Sequence, residues 1–125
     1  MLVIVDFESD MPIYMQIYEQ VVLAISKGTL IPGEGLPSVR RLSEDIGVNI
    51  HTVNKVYAIL RDEGYLKMSR RSGATVAMAT LDKSKIIDLL MDRLRLLSAQ
   101  AAVHGIGKTE FLQMTESSYT DAVSK

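Results

Sequence analysis

The fold class that the sequence predicts is mostly α with a small β-hairpin wing: a winged helix-turn-helix followed by two C-terminal helices. Three observations carry it. Two apolar-periodic stretches meet within a few residues at Ile46-Gly47-Val48-Asn49, two alternating runs flank Arg70-Arg71-Ser72-Gly73, and from Asp82 the apolar spacing changes to one long stripe. The 125 residues, 47% of them hydrophobic, suffice for one domain with a core plus an appendage. The division is expected after Met78, with residues 1–78 forming the winged part and 79–125 a helical dimerisation tail.

A short β-like run at Leu2 to Val5 comes first. Pro12 then sits where a first helical turn accepts it, and Ile13, Ile17, Val21 and Ile25 recur every fourth residue, which predicts a first helix ending near Lys27-Gly28. "TLIPGEGLPS" follows as a turn-rich connector. Ser38 is a good N-cap for a second helix with Leu42 and Ile46 on its inner face. Asn49 is a good N-cap for a third, in which Val53, Val56, Tyr57 and Leu60 fall at i, i+3, i+4 and i+7. Gly64 ends that helix. "YLKMS" and "ATVAM" then alternate as two strands around "RRSG", with Gly73 placed at the hairpin tip.

The long helix after Asp82 carries an a/d stripe of Ile87, Leu90, Leu94, Leu97 and Ala101 and ends at His104-Gly105. A second stripe, Leu89, Leu96 and Val103, lies roughly 100° around it. A helix apolar on more than one side is expected to be sandwiched, and the first stripe is the expected dimer interface. Gly107 starts a last helix, with Glu110 in its first turn and Phe111, Leu112, Met114, Tyr119 and Val123 as apolar contacts.

Composition narrows the function. Net charge is -1, so a polyanion partner requires a locally basic surface. The chain has no cysteine and only two histidines, which leaves too few soft ligands for a metal site and fits a reducing compartment. "MLVIVDFESD" lacks the basic start of a signal peptide and is too short to span a membrane, so a cytoplasmic protein is expected. No nucleophile, base and orienting group are recognisable together, "GEG" at 33–35 is a turn rather than a nucleotide fingerprint, and neither enzyme activity nor a cofactor is expected.

The third helix supplies the positive signal. Its buried stripe leaves His51, Asn54, Lys55 and Ala58 facing away, with Asn49 and Ile50 at the entrance. Such a helix can enter a DNA major groove N-terminus first, where Asn pairs bidentately with adenine and Lys or His donates to guanine or phosphate. Between Ser38 and Val76, seven basic residues (Arg40, Arg41, Lys55, Arg61, Lys67, Arg70, Arg71) stand against four acids (Glu44, Asp45, Asp62, Glu63), a local charge of +3. A basic crescent on a slightly acidic protein results. The same winged fold used as a protein-interaction module is the competing reading, and the outward polar set argues against it.

The stretch from Pro12 to Val76, with P-S-x-R-x-L, then G-V-N-x-x-T-V, then L-x-x-x-G-Y-L before a Gly-tipped wing, resembles the DNA-binding domain of the GntR family of bacterial transcription regulators. The short two-helix tail resembles the YtrA-type subfamily, whose members are homodimeric repressors, often of transporter operons. The resemblance implies that Arg40 reads a base or holds phosphate, that Ser38 caps the second helix beside the DNA backbone, and that Asn49, His51, Thr52 and Asn54 occupy the contact positions of the recognition helix. It places Arg70, Arg71 and Gly73 in a wing at the minor groove. Ser38 and Asn49 serve equally as caps alone. Ile50 stands where many members carry a polar or basic residue, and Asn54 where some carry Arg, so base preference does not transfer. Some members fuse this domain to an aminotransferase-like domain, for which the residues after 78 are too few. An effector site between tail and winged domain stays open, with no residue to name.

Overall fold

In the computed structural model, which describes residues 3–78 and 83–125, the elements run α1 (Ile13–Ser26), α2 (Val39–Ile46), α3 (Ile50–Asp62), β1 (Leu66–Ser69), β2 (Gly73–Val76), α4 (Ser84–Val103) and α5 (Lys108–Val123). They fall into two compact units, residues 1–79 with Lys125 and residues 80–124.

In the first unit the expected stripes are the core. Ile17 and Val21 of α1 and Val53, Val56, Tyr57 and Leu60 of α3 are sealed from solvent, with Leu42 of α2 and Leu66, Ala74 and Val76 of the hairpin around them. The turn between α2 and α3 is closed by its own atoms. Gly47 takes a left-handed φ of 67°, which lets Val48 donate its N–H to the Ser43 carbonyl at 3.1 Å while the Ser43 hydroxyl donates to the Val48 carbonyl. At the other end of α3, the Gly64 and Tyr65 amides donate to the Arg61 and Leu60 carbonyls, so the reversal into β1 leaves few orphaned carbonyls.

Four local expectations are corrected, two in the segment leading into α1 and two in the connector and hairpin. Residues 3–5 form no strand, and Leu2 lies outside the described residues. The segment is tied to α1 by side chains instead: Gln20 accepts from the Ile4 amide at 2.9 Å and donates to the Ile4 carbonyl, while Gln16 accepts from the Asp6 amide and donates to the Asp6 and Met11 carbonyls. Two carboxamides one turn apart thereby do for this strap what a neighbouring strand would do, and Val3 is buried by it. Pro12 is the N-cap of α1 rather than a residue of its first turn.

The connector is more regular than its Gly and Pro content suggests. Gly33 donates to the Val76 carbonyl, Val76 to Glu34, and Leu36 to Ala74, each at 2.8 Å, with Gly35 bridging Thr75. It covers the outer edge of β2, which would otherwise present unpaired amides. β1 and β2 pair antiparallel from Leu66↔Val76 to Ser69↔Gly73. Gly73, with φ 69°, is therefore the first residue of β2, and Arg70, Arg71 and Ser72 form the tip.

In the second unit, α4 ends in the expected manner: Gly105 takes φ 76°, and the Gly105 and Ile106 amides donate to the Ala102 and Ala101 carbonyls. α5 packs beside α4. The two helices leave apolar surface open. One groove of about 710 Å³ is lined by Met91, Leu94, Ala101, Phe111 and Leu112, and another of about 440 Å³ by Leu97, Met114, Tyr119 and Ala122.

Candidate nucleic-acid interface

The face that α3 turns to solvent begins at its cap. Asn49 Oδ1 accepts from the His51 amide at 2.8 Å, and Ser38 Oγ does the same for the Arg41 amide at 3.1 Å, so both residues act as N-caps. Ser38, Arg40, Asn49, Ile50, His51 and Asn54 are all exposed, whereas Thr52 is half-buried on the flank of the helix. His51 and Asn54 lie on the side opposite Val53, Val56 and Leu60, and Ala58 keeps the next turn shallow.

What aims this helix is the packing beneath it. Tyr57 is buried, and its hydroxyl donates to the Pro37 carbonyl at 2.7 Å, pinning the middle of α3 to the end of the connector. Burial pushes the Tyr57 phenol up to about 12, so it stays a neutral donor at any physiological pH. Tyr18 of α1 donates to Glu63 at the end of α3 and meets the Tyr65 ring edge to face.

Charge pairing sorts the basic residues. Arg41 pairs with Asp45 at 3.7 Å and Arg61 with Asp62 at 3.0 Å, so two of the four acids neutralise two of the seven cations. Arg40, Lys55, Lys67, Arg70 and Arg71 have no carboxylate partner among the described residues. The cations left free thus stand at the start of α2, on α3 and along the wing. Lys55 points to α1, its ammonium 4.4 Å from the centroid of the Tyr14 ring. Sequence reasoning counted Lys67 in the local charge without choosing it as a contact. It passed over Tyr14 because no local spacing relates residues so far apart in the chain.

Of the tail residues, Ile87, Leu90, Leu94 and Leu97 are exposed, while Ala101 is buried at 6% exposure, against the turn into α5. In the second stripe Leu89 is half-buried, and Leu96 and Val103 are open at 62% and 81%.

An amide- and imidazole-bearing helix end, seated over a core and flanked by unpaired cations and a basic hairpin, defines a winged helix-turn-helix of the DNA-binding class. Residues 13–76 match the family described as bacterial regulatory proteins, gntR family, and the chain belongs to that family of transcription regulators, which are not enzymes. It is 35% identical over 105 residues to the HTH-type transcriptional repressor YtrA of Bacillus subtilis (strain 168), spanning 82% of this chain and 80% of that protein, which supports the YtrA-type subfamily. Among solved structures, YtrA from Sulfolobus acidocaldarius, a GntR-family transcription factor, is 35% identical with TM-score 0.61, covering 94% of this chain and 96% of that one. A transcriptional antiterminator from Listeria monocytogenes EGD-e shares the fold, with TM-score 0.87 at 24% identity, covering 100% of this chain and 95% of that one. AraR(DBD) in complex with operator ORX1 has TM-score 0.53 at 28% identity and covers 58% of this chain and 94% of that one.

Proposed function

We propose that this chain is a homodimeric repressor that binds an inverted-repeat operator in double-stranded DNA. The observation that carries the DNA reading is the outward set of α3, with Asn49, His51 and Asn54 exposed at its N-terminal half and Arg40, Arg70 and Arg71 unpaired on either side. In this reading Asn54 and His51 meet base edges, Arg40 meets phosphate or guanine, and Ser38, Asn49 and Thr52 bring backbone amides and short polar groups to the phosphates. Arg70, Arg71 and Gly73 form a wing whose charges follow the neighbouring groove. AraR(DBD), a structural relative, was solved on an operator, and YtrA of Bacillus subtilis is named a repressor.

The dimer reading rests on the tail. Ile87, Leu90, Leu94 and Leu97 remain exposed after α5 has packed, and a second copy is the simplest cover, since two-fold symmetry closes the assembly without leaving a further open face. The tail, residues 79–125, is then the dimerising segment and residues 1–78 the DNA-binding one.

The regulated genes are those that the subfamily suggests, a transporter operon and the protein's own gene. No helix among the described residues is long and apolar enough to cross a membrane, and the proposed place of action is the cytoplasm. No residue is assigned to an effector.

Selection of duplexes from a random pool by the full chain tests the whole reading. The expected product is a near-palindrome with half-sites about one helical turn apart or somewhat more. A single unrepeated half-site would remove the dimer, and recovery of no duplex that binds in a salt-dependent way would remove DNA as the partner.

A further inference from the structure

Lys55 sits on the outward part of α3, and its ammonium is the only charged group of that helix's solvent face that the structure gives an aromatic partner among the described residues. The partner belongs to a different element. Tyr14 lies in the first turn of α1, half-buried, with its ring packed against the hydrophobic core. The ring is therefore a fixed plate rather than a mobile one, and α1 is held against α3 by Ile17, Val21, Val53 and Val56.

The environment of the ammonium is otherwise open. Neither the first turn of α1 nor that of α3 carries an acid. Glu8 and Asp10 of the preceding strap form no ion pair with Lys55. A ring face attracts a cation without neutralising its charge, so a polyanion still meets a full positive charge there. Lysine is among the side chains that lose most rotamer freedom when fixed, and a phosphate contact made by a freely moving lysine is opposed by that ordering.

We propose that Tyr14 is a positioning residue for DNA binding, its ring holding the Lys55 ammonium at the seam between α1 and α3, ready for a DNA phosphate. This rests on the reading of α3 as the helix that meets DNA. Lys55 does not search for its phosphate. It is placed with the scaffold, and docking of α1 becomes coupled to affinity through one side chain. Exposed cation–π pairs are worth about two- to fivefold in an equilibrium constant, which is the expected size of the coupling.

The test is a double-mutant cycle on the full chain, using the tightest duplex selected from a random pool. Lys55→Met keeps the stem and removes the charge, and should lower the salt slope of binding by about one. Tyr14→Leu should weaken binding about two- to fivefold in the parent and add no loss in the Lys55→Met background. Tyr14→Phe, which keeps the ring face, should retain the coupling to Lys55. In the free protein the ε-methylene protons of Lys55 should be shifted upfield by the ring, and the shift should vanish in Tyr14→Leu but persist in Tyr14→Phe, which detects the pair even where DNA binding is altered by packing. Equal penalties for Tyr14→Leu with and without the Lys55 charge would overturn the proposal and leave a packing role only. Tighter binding by Tyr14→Leu would also overturn it, since the ring would then be withholding the charge. An unchanged salt slope in Lys55→Met, with Asn54→Ala still impaired, would sink this inference alone. Absence of salt-dependent duplex binding by the parent itself would sink the DNA reading as well.

Discussion

Asn54 and Tyr57 sit three positions apart on α3, one exposed to solvent and the other buried in the core. Asn54→Ala removes a bidentate donor and acceptor without touching the packing. It should relax base preference at one position of each half-site, at about 1–3 kcal/mol for the pair lost, and leave thermal stability unchanged. Equal affinity of variant and parent across every single-base operator variant would take Asn54 off the reading face. Tyr57→Phe should do the reverse, costing about 1 kcal/mol of stability through the bond to the Pro37 carbonyl, measured by denaturant unfolding. Because the folded phenol is raised from 10.0 to about 12, its contribution is complete below pH 10 and is lost as pH rises from 10 towards 12. Parent stability should fall through that alkaline window, and the Tyr57→Phe variant should show a shallower fall.

The wing and the helix-turn-helix corner each depend on one glycine and on what it releases. Gly47, at φ 67° with open space where a Cβ would stand, is needed for backbone angle alone. Gly47→Ala should cost on the order of 1 kcal/mol from the left-handed conformation without any steric clash, readable as a lowered melting temperature. At the wing, Gly73 turns the chain so that Arg70 and Arg71 project from the tip. Replacing both arginines by Ser leaves the hairpin's ladder intact and should lower the salt slope of DNA binding by two at most. A slope identical to the parent's would mean that the tip never meets phosphate.

For the molecule as a whole, the two units make opposite demands on their surroundings. The first unit has a closed core of its own, whereas α4 and α5 retain exposed Ile87, Leu90, Leu94, Leu97, Leu112 and Met114. Cutting the chain after Met78 should leave a folded fragment that sediments as a monomer. It should lose about a hundredfold or more in affinity for a full inverted repeat while keeping its affinity for a half-site, because the second contact no longer enjoys an effective concentration on the order of millimolar. Full-length protein sedimenting as a monomer at micromolar concentration would contradict the assignment of the tail.

The elements whose physics is local were legible in the residues alone. Ser38 and Asn49 cap by bonding amides two or three residues on, Gly47, Gly64 and Gly105 reverse helices through their own dihedral angles, and the Val53-Val56-Tyr57-Leu60 stripe needs only the helical period to be seen. The outward face of α3 follows from the same stripe by elimination, so the candidate reading heads were visible before any packing was known. Other features were not, because they are set by groups distant in sequence. The strap at Val3–Met11 replaces a strand because Gln16 and Gln20 happen to meet its backbone, and the connector becomes a sheet edge because β2 offers it amides and carbonyls. The pairs that occupy Arg41 and Arg61 are local, with Asp45 one helical turn on and Asp62 adjacent, whereas the placement of Lys55 depends on a ring carried by another helix. Short-range hydrogen bonding, periodicity and neighbouring charges determine what a segment is and which of its charges are paired locally, while only tertiary contact decides where a side chain such as Lys55 is held, since its partner can come from anywhere in the chain.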